Sequence, residues 1–261
     1  MPANYAHYRF GAAMLAAMPG DIRRTADRFR RLYDAGLHGP DIFFYYNPLW
    51  KTGTGSLGSR IHRQPGREIF GRICRNLRLE PSRAGEAYLY GLLCHYTLDS
   101  ACHPFIVEQE RLGLAEHIEL ETEFDRFLLD MDGKIPAEHQ DISPHMRLAA
   151  GEWDTVARCY PGVTGKAVGT CLRHMVLATK ALAIRGKTGR ELLKKGMGLA
   201  NWEYRGFVMT SGPNPHCDKL DKDLYECYRR AEERFPELLM ELSAHLAYNA
   251  PLGADFSATF G

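Results

Sequence analysis

The sequence predicts an all-α fold, and three observations predict it. Apolar residues recur at helical spacing through most of the chain, Pro-Gly and Asp-Gly breakers cut it into helix-length pieces, and no repeat, low-complexity tract or long linker interrupts it. The chain, 1–261, is therefore read as one helical domain, long enough to bury a substantial core.

Taken in order, a first helix is expected from about Asn4 to Met18, closed by Pro19-Gly20. Asp21 can cap the next, in which Ile22, Ala26, Phe29, Leu32 and Tyr33 form one apolar stripe until Gly36 ends it. From Leu37 to Gln64 periodicity is lost, in a Gly- and aromatic-rich segment (HGPDIFFYYNPLWKTGTGSLGSRIH) far longer than an ordinary connection; long ordered loops are often functional. Helices are expected again at Pro65–Leu79, about Ala84–His103, Leu114–Met131, Met146–Cys159, Lys166–Arg185 and Asp221–Ala247.

Charge and composition exclude some functions. Lys plus Arg is 33 and Asp plus Glu is 32, giving a net charge of +1, which argues against a protein that wraps nucleic acid. No run reaches the ~18 to 20 apolar residues of a spanning helix. The stretch Phe10–Met18 reads as an interior helix rather than a signal segment. Seven scattered cysteines without CxxC fit free thiols in a reducing compartment, so a cytoplasmic location is expected.

The chemistry is concentrated in GLLCHYTLDSACHPF. His95, Asp99 and His103 fall at i, i+4 and i+8, on one broad helix face, and Pro104 is expected to end that helix. Eight helical residues span ~12 Å, too far for one zinc with ~2.0 Å bonds to collect both histidines and the carboxylate. Two ions relieve the difficulty, with Asp99 free to bridge. His117 and Glu121, again one turn apart in AEHIELETEFD, form a natural zinc half-site. Any one of these residues alone would more often be a satisfied core polar group; the five together are not.

YLYGLLCHYTLDSACHPF resembles the zinc-dependent phospholipase C pattern, and His117, Glu121 and Phe124-Asp125 match its continuation. The resemblance implies the all-α fold of the phospholipase C and S1/P1 nuclease group. It implies that His95 and Asp99 bind one zinc, that Asp99 bridges to another, and that His103, His117 and Glu121 hold a further one. Shorter matches imply His7 (AHYRFG) and His62 (SRIHRQP) as ligands, and Asp41 (LHGPDIFFYY) as an aspartate over the metals, acting as catalytic base. Two departures stand out. The spacing from Asp99 to His103 is compact. Secreted members use a processed N-terminal amine as a ligand, whereas this chain begins Met1-Pro2, so the third ion is open, with His38 either its substitute donor or a plain loop histidine.

The function so implied is zinc-dependent phosphoester hydrolysis with a di- or trinuclear centre, in which hydroxide generated on the metals attacks phosphorus in line. The expected cofactor is two or three Zn2+ and the expected partner a phosphate-ester substrate, with phospholipid among the candidates. The alternatives are an S1/P1-type nuclease, with Phe43, Phe44, Tyr45, Tyr46 and Trp50 as a stacking wall, or a non-catalytic zinc-binding protein. Of the other histidines, His139 and His145 read as solvated, His174 and His245 as structural, and His216 as a weak outside candidate.

Overall fold

From Ala87 to Asp99 every residue is buried, so the helix carrying them, Arg83–Arg111, has no solvent face over its middle. A helix apolar on all sides is a core helix, and the remaining elements are laid around this one. The computed structural model describes residues 4–46, 55–183 and 186–261. In chain order its helices are α1 (Asn4–Ala17), α2 (Gly20–Arg28), α3 (Arg30–Gly36), α4 (Gly55–His62), α5 (Gly66–Leu79) and α6 (Arg83–Arg111). They continue with α7 (His117–Met131), α8 (Trp153–Ala157), α9 (Gly165–Leu182), α10 (Lys187–Ala200) and α11 (Asp221–Tyr248). Short 3-10 turns join them, the longest at Gly39–Tyr45, and no strand occurs among the described residues. The fold is all-α, as the sequence predicts.

Local chemistry explains where the central helix begins and why it can be packed so closely. The Ser82 hydroxyl accepts a hydrogen bond from Gly85 N at 3.1 Å, a side-chain cap on the first turn of α6. Gly36 and Gly91 meet where α3 crosses α6, and a Cβ on either would run into the backbone of the other helix. The Tyr33 hydroxyl donates to Gly11 O at 2.7 Å, tying α1 to α3. Asp125 of α7 accepts from both Tyr5 N (3.0 Å) and Ala6 N (2.8 Å). Those are orphan donors of the first turn of α1, so Asp125 caps α1 from another helix and fixes where His7 points.

Several boundaries differ from the sequence expectation. The central helix does not stop at His103: it runs through Pro104 to Arg111, with Ile106 and Gln109 buried beyond the proline. Proline removes one i→i−4 bond, and burial of this last stretch outweighs that loss. The stripe expected as one helix is two, α2 and α3, broken at Phe29 (φ −112°, ψ 42°). The segment read as aperiodic holds a 3-10 turn and α4. The helix expected at Leu114 starts only at His117, after a turn through Gly113 at φ +68°. Residues expected as helix Met146–Cys159 form 3-10 turns and the short α8, while α10, in a Gly- and Lys-rich stretch, was not anticipated.

Candidate metal centre

Four helices and one turn bring the metal-binding candidates together. Asp99 of α6 stands at the middle, 4% exposed. Its Oδ2 lies 3.0 Å from His95 Nε2 and 4.0 Å from His62 Nε2; its Oδ1 lies 3.2 Å from His7 Nε2 and 3.5 Å from His103 Nδ1. One carboxylate thus faces four imidazoles, two on each oxygen. Asp41, in the Gly39–Tyr45 turn, places Oδ1 2.8 Å from His62 Nε2 and 4.0 Å from His95 Nε2. Glu121 Oε1 is 3.4 Å from His117 Nε2 and 3.5 Å from His103 Nε2. The ring of His7 stacks on that of His95 at 4.4 Å.

Second partners fix which nitrogens face inward. His95 Nδ1–H donates to Leu37 O at 3.1 Å, and His62 Nδ1–H donates to Gly58 O at 2.7 Å. A carbonyl only accepts, so in each neutral ring Nε2 carries a lone pair and turns it toward carboxylate oxygen. Acceptor facing acceptor needs a proton or a metal ion between them. Ligand atoms around a tetrahedral zinc with ~2.0 Å bonds are about 3.3 Å apart, which the spacings here bracket.

The orphaned polar atoms give the test of fit. Asp41 Oδ1, Asp99 Oδ2, His95 Nε2, His7 Nδ1 and His103 Nδ1 are all buried without a hydrogen-bond partner. Such atoms are rare in native proteins unless an ion or water serves them. A void of about 20 Å³ is lined by His7, Asp99, His103 and Glu121, enough for an ion and little more. Three His/carboxylate groups have donor atoms within 4.8 Å of one another: Asp41/His62/His95, His7/His95/Asp99 and His103/His117/Glu121. The donor set, nitrogen with carboxylate oxygen, suits zinc.

Electrostatics agree. Burial by itself would raise the carboxyls of Asp41, Asp99 and Glu121, yet the imidazoles facing them, His95 foremost for the two aspartates, hold all three below their usual range and ionised. Burial would lower His103, but Asp99 and Glu121 outweigh it and hold that ring up at about 9. A pocket with three buried carboxylates is a strong sink for positive charge.

The aromatic lid joins Phe44, expected as part of a stacking wall, to Phe260, which sequence reasoning did not weigh. Phe260 is fully buried, 5.8 Å from the His95 ring and 6.1 Å from that of His62. Its N–H donates to His62 O at 3.2 Å, so the chain's last residues cover the end of α4. Phe44 tilts over His62 at 5.2 Å. The only signal for the far contact is a Phe256/Phe260 pair at helical spacing, too short to read. Phe43 is buried edge-on against Tyr160 at 4.8 Å, a core residue rather than part of a stacking wall. Trp50 lies outside the described residues.

His38 is not brought into any of the three groups. It is buried, with Nε2 2.8 Å from His145 Nε2 and the two rings stacked at 4.9 Å. His145 in turn stacks on Tyr8 at 4.1 Å and is half-buried, which corrects the expectation that it is solvated. Burial lowers both rings, His145 to about 4, so the pair is neutral and shares one proton. His174 and His245 hydrogen-bond backbone carbonyls at Tyr45 and Ala250, and His216 is an exposed neighbour of Glu119.

With this geometry in view, comparison with protein families matches residues 6–159 to zinc dependent phospholipase C. The chain belongs to the zinc-dependent phospholipase C family. Neither the curated proteins nor the solved structures contain a significant match. Family membership makes zinc the metal that these clusters suit and hydrolysis the class of activity. The matched span takes in α1 to α8 and with them every residue of the three clusters.

Asp41 turns the same oxygen toward His62 and His95, which suits a ligand as well as the base that the resemblance implies, and metal content separates the two roles. Asp41→Asn is expected to lower zinc content by about one ion per chain and turnover by ~100-fold. Full zinc retention with turnover slowed equally would assign Asp41 the base role.

Proposed function

We propose that this protein is a zinc-dependent phosphoesterase of phospholipase C type, working with at least two ions. The observation that carries the reading is Asp99, whose two oxygens face imidazoles belonging to different clusters. Asp41, His62 and His95 with Asp99 Oδ2 would hold one ion, and His103, His117 and Glu121 another. His7 with Asp99 Oδ1 would serve a third, with His95 the further donor within reach, while His38 turns instead to His145.

Zinc, when bound, supplies Lewis acidity toward phosphoryl oxygens and a nucleophilic water at neutral pH. The chain's own contribution is positional. Leu37 O and Gly58 O lock the ring orientations of His95 and His62, which raises their ligand basicity. Phe260 and Phe44 cover those rings and exclude water from that side, strengthening every charge interaction within. His117, 28% exposed, marks the open side from which a phosphate ester would enter.

The nuclease reading loses support, because Phe43 is unavailable for stacking and the net charge is only +1. A small or lipid phosphoester is favoured as substrate. No described helix is long and apolar enough to cross a membrane. We place the protein in the cytoplasm on its free cysteines, none of which forms a disulfide among the described residues.

Metal analysis of the purified protein, paired with hydrolysis of a chromogenic phosphodiester, tests the proposal. About two to three zinc ions per chain are expected, with turnover abolished by chelator and restored by zinc. Stoichiometric zinc without turnover on phosphodiesters or monoesters would make the protein a zinc-binding relative that has lost the reaction.

A further inference from the structure

A second cavity, of about 60 Å³, shares the walls of α1 and α7 with the metal centre but none of its ligands. Leu129, Ile142, Leu182, Phe207 and Met209 supply its apolar wall. Most polar groups that line it are already occupied. Asp125 accepts the two N–H groups of α1, Glu138 pairs with Arg190 at 3.1 Å, and Gln140 donates to Pro136 O. Thr122 is the exception: 6% exposed, its hydroxyl has no hydrogen-bond partner.

Two residues that line this cavity belong to elements that carry the metal-centre candidates. Thr122 directly follows the ligand Glu121 in α7. Tyr45 follows Asp41 by four residues in the same turn, and its phenol lies within the fields of Asp41, Glu121 and Asp125. Burial raises the phenol most, a hydrogen bond with Asn4 lowers it, and those carboxylates raise it again, so it stays protonated. The backbone of Tyr45 is itself anchored, its carbonyl accepting from His174 Nδ1 at 2.9 Å.

We propose that this cavity receives the apolar group attached to the substrate's phosphate, an unbranched alkyl chain of about four carbons, with the Thr122 hydroxyl bonding an oxygen at the phosphate end. The size follows from the volume, since a water-sized occupant takes roughly 10–15 Å³ of such space and the cavity holds roughly four to six of them. The inference rests on the phosphoesterase reading and narrows it, favouring short-chain phosphoesters over those whose first apolar group is bulky or branched. A buried hydroxyl without a partner costs stability, and a ligand that supplies the partner recovers it.

Calorimetric titration of the zinc-loaded full chain with methyl-, propyl-, butyl- and hexylphosphonate tests this. Affinity should rise about three- to fourfold per methylene to roughly four or five carbons and then level off. Met209→Trp, which fills the cavity, should remove that rise while leaving zinc content and methylphosphonate affinity unchanged; Leu182→Phe is the second variant should the first not fold. Thr122→Val should keep its zinc and melt no lower than the wild type without ligand, but weaken the whole series about tenfold. Normal methylphosphonate binding with no dependence on chain length, or a rise that survives both filling variants, would overturn the proposal and leave the phosphoesterase reading standing. Failure of methylphosphonate to bind at all would sink that reading and this inference with it.

Discussion

Asp99→Asn should strip the protein of most of its zinc and reduce phosphoester hydrolysis by about 1000-fold or more. The side chain keeps its shape, so the change isolates the charge and the second acceptor. Asp99 offers Oδ2 to His95 and His62 and Oδ1 to His7 and His103. An amide has one acceptor oxygen, and whichever way it turns, its NH2 group meets one of those two pairs. The ions on the two Asp99 oxygens would lose a shared anion, and one of them would lose a donor atom outright.

The apo protein responds differently. Despite burial, the imidazoles that face Asp99 hold its carboxyl below the usual range, so its charge favours the fold even without metal, and in chelator the variant should melt modestly lower than the wild type. In zinc the wild type gains about 2.7 kcal/mol at a hundredfold excess over its dissociation constant, and the variant should gain little. His139→Ala, in a 3-10 turn outside all three clusters, should behave as wild type in both conditions. A variant at Asp99 that retains full zinc would show that the carboxylate does not bridge.

How much of this was legible in the sequence depends on how local each cause is. His95, Asp99 and His103 share a helix face because of 3.6-residue geometry alone, and so do His117 and Glu121; such spacing can be read directly. The candidate ligands far away in sequence, His7, Asp41 and His62, carry no local sign and were reachable only through resemblance. The carbonyls of Leu37 and Gly58 that orient the rings were not reachable at all, since any residue supplies a carbonyl. His38 and His145 show the same limit from the other side. Each looks like a loop histidine, and only the chain's return at Pro144–Met146 makes them partners. Helix boundaries failed where tertiary burial overrode a local breaker, as at Pro104, or where a breaker such as Phe29 had no composition to announce it.

Gly39→Ala should damage both folding and zinc binding, and it probes the turn that joins His38 to Asp41. Gly39 has φ +44°, a conformation that costs an L residue about 1 kcal/mol or more. A Cβ there would also stand 2.7 Å from His95 Cδ2 and 3.0 Å from Leu92 Cδ1. The His95 ring has no room to yield, held by Leu37 O on one edge and facing Asp99 on the other. Gly133 supplies the comparison, because it has φ +69° with nothing within 4 Å of a built Cβ. Gly133→Ala should therefore cost only the backbone strain, about 1 kcal/mol. Gly39→Ala should cost about 2–4 kcal/mol, in chelator as well as in zinc, and should weaken zinc binding besides. That pattern differs from Asp99→Asn, whose larger loss appears with metal present. Equal costs at the two glycines, with zinc retained, would mean that the Gly39 turn does not hold His95 in place.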